Sequence, residues 1–457
     1  MTRSLFLGLG PLLAAVAYSL AASAGYSTDI AWTAAITVCC IVWWISEAIP
    51  IPITSLLPLA LFPMVGVLTK EQVAEAYGSS LILLLLGGFI LSRAMEHSGA
   101  HKRLALYTIR LIGGKSARHI VWGFMLAAAL LSMWISNMAT VLMMLPIALA
   151  VMAQSDDQSI AVPLMLGIAY SASVGGMGTP IGTTPNLVFM EVYAETTGIE
   201  IGFVEWMTVA LPVVFIMIPL IGWSITRKLP DGGSFALPTV GAWSSHERRV
   251  LLVFGLTALA WVTRKEPFGG WSSWFGMPGA NDASVAFIAV IAMFIIPSGM
   301  RKGERLLNWE RASDIQWGIL LLFAGGLCIA KGFTVSGLGA AMASGLTALQ
   351  AVPVFVMLLL LCLFVTFLTE TTSNTASAAL LLPILAAAAT AMGIPPELLM
   401  YPAVLTASCA FMLPVATAPN AIIFASGQVT TQRMAREGLI LNLLGATVVA
   451  SYFYLIN

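Results

Sequence analysis

Charge is what this sequence has least of. Only 9% of its 457 residues are Asp, Glu, Lys or Arg, whereas 59% are hydrophobic; soluble domains carry about 25% charged residues. A soluble core with a polar shell is thereby excluded, and an all-α polytopic membrane protein is expected. Net charge is missing as well. Lys plus Arg and Asp plus Glu both total 21, so no overall field recruits nucleic acid or an acidic partner. Histidine is scarce: His97, His101, His119 and His246 fall in predicted cytoplasmic connections, and nothing resembles the acid-base or metal cluster of an enzyme. Cys39, Cys40, Cys328, Cys362 and Cys409 lie in apolar runs without metal-ligand spacing, which argues against a disulfide framework or a zinc site. No ATP motor is visible either. Gly113-Gly114-Lys115-Ser116 imitates the end of a phosphate-binding loop, but the earlier glycine that such a loop requires is Ile109.

What is present is apolar sequence in long runs. They predict about eleven crossings, near Leu5–Ala22, Ile30–Ile49, Ile53–Leu68, Ser79–Met95, Ile160–Tyr193, Met207–Trp223, Val250–Val262, Ser284–Ile296, Trp317–Phe333, Met400–Phe424 and Gly438–Leu455. The first partly imitates a secretory signal but reads as a retained helix. Two further stretches, 120–152 and 354–391, carry polar tripeptides at their centres and read as re-entrant hairpins. Basic residues test the count, because cytoplasmic loops should hold their excess. With the N-terminus inside, only Lys70, Arg264, Lys265 and Lys331 of the 21 fall outside. The loop with Glu191, Glu195, Glu200 and Glu205 has no basic residue. The C-terminus is then expected outside an inner (plasma) membrane.

The tripeptides are the strongest signal. Ser136-Asn137-Met138 and Ser373-Asn374-Thr375 are each followed by a proline, Pro146 or Pro383, and later by Thr183-Thr184-Pro185-Asn186 or Thr417-Ala418-Pro419-Asn420. Gly87-Gly88 and Ser98-Gly99 repeat, at the same spacing, as Gly325-Gly326 and Ser336-Gly337. About five crossings separate the copies, and an odd number inverts the second relative to the first, as in the inverted repeats of secondary transporters. The repeat divides the chain into 1–78 (scaffold helices), 79–228 (first repeat, hairpin 120–152, broken helix 160–193), 229–316 (scaffold helices and connections) and 317–457 (second repeat, hairpin 354–391, broken helix 400–424).

Unwound polar backbone survives in lipid only where it lines a cavity or is buried in protein. A tip of Ser, Asn and Thr offers hydroxyls, an amide and the positive N-terminus of the next helix, which suits an anion. Two tips suit an anion with two charged ends, and carbonyls freed at the breaks suit Na⁺. A dicarboxylate with sodium is the economical reading; an anion channel, with the polar site as its filter, is the alternative from another class. Glu47 and Glu370 sit in or beside apolar segments, as functional groups or as capped structural carboxylates. Arg93 and Lys331 correspond in the repeat and read as snorkelling, dipole-pairing cations.

Over nearly its whole length the chain resembles the divalent anion/sodium symporter family. The resemblance rests on Ser132-Met133-Trp134-Ile135-Ser136-Asn137, on Thr369-Glu370 through Ser373-Asn374-Thr375-Ala376-Ser377, and on Leu413-Pro414-Val415-Ala416-Thr417-Ala418-Pro419-Asn420-Ala421. It implies a homodimer in the bilayer, with a stationary scaffold and a transport domain that moves as an elevator. It also implies a first sodium site at Ser132, Ser136, Asn137 and Gly182, and a second at Thr369, Thr372, Asn374 and Ala416. Substrate would touch Asn137, Thr183, Ser373, Asn374, Thr375 and Thr417, with Met138 and Ala418 shaping the pocket. Met138 stands where close relatives have Thr, and Ala418 where many dicarboxylate carriers have Pro. The expected function is sodium-coupled import of C4-dicarboxylates; the alternatives are sodium-independent exchange, or a member for citrate, tartrate or sulfate.

Overall fold

A computed structural model describes residues 2–112, 116–153, 158–229, 237, 241–265, 269–339, 341 and 352–456. Lys115 and the glycines before it lie outside the described residues. Within them the chain is helical, and the sole extended pairing is an isolated bridge between Pro297 and Arg305. Among the described residues, seven helices are long and apolar enough to cross a membrane: Leu5–Ser23, Thr28–Ser46, Lys70–Ser98, Phe203–Thr226, Trp317–Ser336, Asn374–Met392 and Thr431–Ile456. Several start on polar caps. Ser79 Oγ accepts the Ile82 N–H at 3.2 Å, and Ser27 Oγ accepts that of Ile30 at 3.3 Å, satisfying donors that lipid could not.

Other expected crossings are shorter or interrupted. The run 53–68 divides into Ile51–Thr54 and Leu56–Val65. Pro58 has no N–H to return to Thr54, and Ser55 is instead held at the bend, donating its hydroxyl to Ile51 O and accepting from Trp44 Nε1. The broken helices are Ala161–Gly176 with Thr184–Thr197, and Glu397–Ala407 with Ala418–Ala425. Their breaks, 177–183 and 408–417, precede the Pro-Asn pairs rather than fall on them, because Pro185 and Pro419 occupy the first turn of the following helix, where a missing N–H costs nothing.

The cytoplasmic connection expected after Gly99 is itself a helix, Ala100–Ile112, with Ala105 and Ile109 buried and Arg103 bonded to Glu247 at 3.0 and 3.1 Å. The histidines expected in connections accordingly lie in helices: His97 in the last turn of Ser80–Ser98, His101 in Ala100–Ile112, His119 in Ala117–Ser132 and His246 in Ser245–Val262. All five cysteines are free and buried.

The two tripeptide stretches form helix pairs, Ala117–Ser132 with Asn137–Ala153 and Val354–Thr369 with Asn374–Met392, broken at 133–136 and 370–373. These pairs interlock with the broken helices. Thr184–Thr197 packs on Asn374–Met392 of the other half, while Ala418–Ala425 packs on Asn137–Ala153. Around them, Ser80–Ser98 packs on Ser245–Val262 and Asp282–Ile295, and Trp317–Ser336 on Thr28–Ser46 and Leu56–Val65. The repeated glycines permit this close approach: a Cβ on Gly87 would lie 2.6 Å from Ala286 Cβ, and one on Gly325 would run into the backbone of Ser55.

Candidate functional site

Each break leaves backbone groups that lipid cannot satisfy, and buried side chains close them. Asn186 Nδ2 donates to Gly176 O at 3.0 Å and Thr179 O at 2.8 Å, and Thr179 donates its hydroxyl to Met133 O. Asn420, its counterpart, donates to Ala410 O at 3.1 Å and Leu413 O at 3.0 Å. Glu370 accepts the N–H groups of Met412 and Leu413 at 2.8 and 2.9 Å, and Asn442 Nδ2 at 2.7 Å. This buried carboxylate therefore clamps the last break to the C-terminal helix, answering the sequence question in favour of the structural role. Arg93 and Lys331 also have carboxylate partners: Glu96 and Asp314 for the first, Glu75 and Glu195 for the second.

The breaks enclose a cavity of about 420 Å³. Asn137, Met138, Thr183, Ser373, Asn374, Thr375, Thr417 and Ala418 all line it, together with Ser136, Gly182, Thr372 and Ala416. Ser132 and Thr369 are fully buried behind that wall. The first helical residues after the breaks, Asn137, Thr184, Asn374 and Ala418, all reach the cavity. Four helix N-termini thus converge on a cavity that has no Lys, Arg or His among the described residues of its wall. Each helix N-terminus is equivalent to roughly half a positive charge, so together they amount to about two.

Behind each tripeptide lies an oxygen-rich cradle. With its amide nitrogen turned inward, Asn137 donates to Ser132 Oγ at 2.6 Å, Ala172 O at 3.2 Å and Gly182 O at 3.3 Å. Turned the other way, its oxygen joins two carbonyls and a hydroxyl, the donor set of a hard cation. No side chain fits there: a Cβ on Gly182 would lie 2.5 Å from Gly176 O and 2.9 Å from Ser132 O, and one on Gly176 would lie 2.5 Å from Asn137 Oδ1. In the second half Thr369 donates to Asn374 Oδ1 at 2.7 Å and to Ala407 O at 3.1 Å. Ala416 is buried in the break before Ala418–Ala425, Ser136 Oγ accepts the Ala139 N–H at 3.2 Å, and Thr372 shares a 2.6 Å hydrogen bond with Ser377.

Three features escape sequence reasoning. Thr184 touches Thr375 hydroxyl to hydroxyl, joining the halves across the cavity. Gly176, inside an unremarkable apolar run, supplies a carbonyl to the first cradle. Glu47, singled out for its apolar surroundings, is exposed and lines the cavity beside Trp44 and Ile45. Among the described residues it is also the sole non-glycine with positive φ, at 47°. The repeat could have flagged Thr184, since it aligns with Ala418; nothing in the sequence marks the backbone of Gly176.

The chain has extensive similarity to known proteins. The family model described as the sodium:sulfate symporter transmembrane region matches residues 9–455. Sodium-dependent dicarboxylate transporters SdcS of Staphylococcus aureus are 39% identical in strain USA300 and 40% in strain MRSA252, covering 98% of this chain and 89% and 90% of theirs. Among solved structures, the YdaH transporter of Alcanivorax borkumensis aligns with a TM-score of 0.60 at 16% identity, over 87% of this chain and 89% of its own. MtrF of Neisseria gonorrhoeae aligns with a TM-score of 0.61 at 15% identity, over 86% and 83%. The structural likenesses show a shared transporter fold, and the near-complete match in sequence shows that the chain belongs to the sodium:sulfate symporter family.

Proposed function

We propose that this protein is a secondary active transporter that imports C4-dicarboxylates such as succinate, malate or fumarate together with Na⁺. The observation that carries this reading is the convergence of four helix N-termini on a cavity without basic side chains among the described residues of its wall. Their summed charge of about +2, set against the one acidic residue described in that wall, Glu47, favours an anionic substrate. The volume suits a small molecule, since ligand pockets start near roughly 300 Å³. The relatives of 39% and 40% identity, described as sodium-dependent dicarboxylate transporters, support both substrate and ion.

In this reading Asn137, Thr183, Ser373, Asn374, Thr375 and Thr417 hold the two carboxylates, and Met138 and Ala418 shape the apolar middle. One Na⁺ is held by Ser132, Ser136, Asn137 and Gly182, and the other by Thr369, Thr372, Asn374 and Ala416. Their charges offset those of the dianion and make its stay in lipid tolerable. The tripeptide helix pairs are re-entrant hairpins, about eleven segments cross the membrane, and the repeats are inverted. The interlocked elements move as an elevator against a scaffold of Thr28–Ser46, Leu56–Val65, Ser245–Val262, Asp282–Ile295 and their neighbours, in a homodimer. The N-terminus is cytoplasmic and the C-terminus outside, in a plasma or inner membrane.

The test is radiolabelled succinate uptake into proteoliposomes, with an inward Na⁺ gradient against a K⁺ control, with and without internal succinate. Uptake that requires Na⁺ is expected. Uptake that requires only internal succinate would make the protein an exchanger. Failure of both would overturn the substrate, with citrate, tartrate and sulfate tried next. Stepwise single-channel currents would replace the carrier by a channel.

A further inference from the structure

A second cavity, of about 440 Å³, lies between helices Ala117–Ser132 and Phe203–Thr226 and shares no lining residue with the central one. Its walls are apolar except at one end. Trp122, Leu126 and Leu130 form one side, Phe215, Ile218 and Pro219 the other, and among the described residues the only polar lining ones are Arg118 and His119. Local sequence explains the opening. Pro219 has no N–H to return to the carbonyl of Phe215, which loosens the helix there, while Trp122 is wedged against Gly222 one turn further on. The corresponding helix of the second half, Val354–Thr369, instead packs along Thr431–Ile456.

The groove has a polar end and a deep end. Arg118 stands at the start of its helix, and Met133, which also lines the groove, follows the helix end fifteen residues later. At about 1.5 Å per residue this spans roughly 22 Å, enough to cross one leaflet of a hydrocarbon core about 30 Å thick. Phe215 and Leu130 are 69% and 43% exposed, so the groove opens outward along its length. At the polar end the chain leaving Phe203–Thr226 brings Arg227 and Lys228, both exposed, and Arg118 donates to Leu229 O at 3.4 Å. Among the described residues Glu437 stands 3.7 Å from Arg227.

We infer that this groove binds an anionic phospholipid, with an acyl chain between Trp122, Leu130 and Phe215 and the phosphate on Arg118, Arg227 and Lys228. An apolar tail and an anionic head are what a groove with these two ends complements, and basic pockets between membrane helices at the cytoplasmic surface bind such headgroups. The bound chain would brace the helix that ends at Ser132, itself a member of the first oxygen cradle.

The experiment is native mass spectrometry of the full-length protein released from vesicles of equal phosphatidylglycerol and phosphatidylcholine, counting the lipids retained. The wild type is expected to retain phosphatidylglycerol preferentially. Lys228→Gln, a surface change, should lower that preference about fivefold, the equivalent of one basic charge near a membrane surface. Leu130→Trp, which fills the groove from an exposed position, should abolish retention while melting like the wild type. Equal retention of the two lipids by the wild type, or undiminished phosphatidylglycerol on either variant, would overturn the proposal. Because the readout is lipid bound rather than substrate moved, it stands apart from the transport reading.

Discussion

The two halves of this protein match at some positions of the central cavity and differ at others, and the division follows chemistry. Ser132 and Thr369, five residues before Asn137 and Asn374, bond to those asparagines at 2.6 and 2.7 Å. Asn186 and Asn420 close their breaks in the same way, and Gly87 and Gly325 both admit a neighbouring helix at their Cβ positions. These groups serve backbone carbonyls, whose demands are the same in either half. The halves part where side chains face the cavity interior. Thr375 meets Thr184 hydroxyl to hydroxyl, whereas their counterparts are Met138 and Ala418, which have no hydroxyl to share. Met138 is 37% exposed and Thr375 only 7%. Met138 and Ala418 occupy the places that correspond to this contact in the repeat. The cavity therefore has a hydroxyl pair at one of these places and two side chains without hydroxyls at the other.

The comparison breaks most sharply at the asparagines. Asn137→Ala and Asn374→Ala should each abolish sodium-driven succinate uptake, since each removes a group from a cradle and from the cavity wall, while expression stays near normal. If only one of the two abolishes uptake, the halves are not equivalent even in their shared parts. Gly182→Ala should come next. Its methyl group would sit 2.5 Å from Gly176 O, and overpacking of this kind costs about 1–3 kcal/mol. The Na⁺ concentration for half-maximal uptake should therefore rise about tenfold; an unchanged sodium dependence would remove the first cradle from the ion's path.

Glu370 tests a real asymmetry, since the matching residue in the first half is Met133. Glu370→Gln keeps the size but turns a donor toward a backbone N–H, at a cost of about 1–3 kcal/mol. A lower melting temperature is expected for the purified protein, whereas Met133→Leu should cost less than about 1.5 kcal/mol. Equal melting of the two variants would mean that the clamp on Met412 and Leu413 is dispensable. The smallest effect is expected inside the cavity. Thr184→Val, which removes one neutral hydrogen bond, should weaken uptake by about 0.5–1.5 kcal/mol, a few-fold. Met138→Thr should broaden or strengthen dicarboxylate recognition by placing a hydroxyl where Thr375 has one in the other half, and Ala418→Thr should add the counterpart of Thr184. Unchanged relative uptake of succinate, malate and citrate would show that this side of the cavity does not read the substrate.

Much of this arrangement is legible in the chain, for reasons particular to lipid. A polar tripeptide such as Ser373-Asn374-Thr375 inside an apolar run has few stable placements, so its appearance in both halves marks the cavity before any coordinates are known. All eight residues expected around substrate do line one cavity. Less legible were the bounds. The Pro-Asn pairs restart helices rather than break them, because proline at a first turn carries no penalty and its position alone does not tell entry from exit. The helix Ala100–Ile112 was hidden because its charges suggest a loop until Arg103 is seen bonded to Glu247.

The amino-acid order was enough to establish that the chain lives in a membrane, and it pointed to a repeated arrangement whose polar breaks are the proposed site. These properties follow from hydropathy and from the cost of unsatisfied backbone, both of which act locally along the chain. Which carbonyls meet, that Thr184 of one half reaches Thr375 of the other, and that Glu370 clamps a break more than forty residues away depended on the crossing of the two halves. Backbone oxygens look alike in every residue, so their grouping into a site arises from how the helices pack and not from which residues carry them.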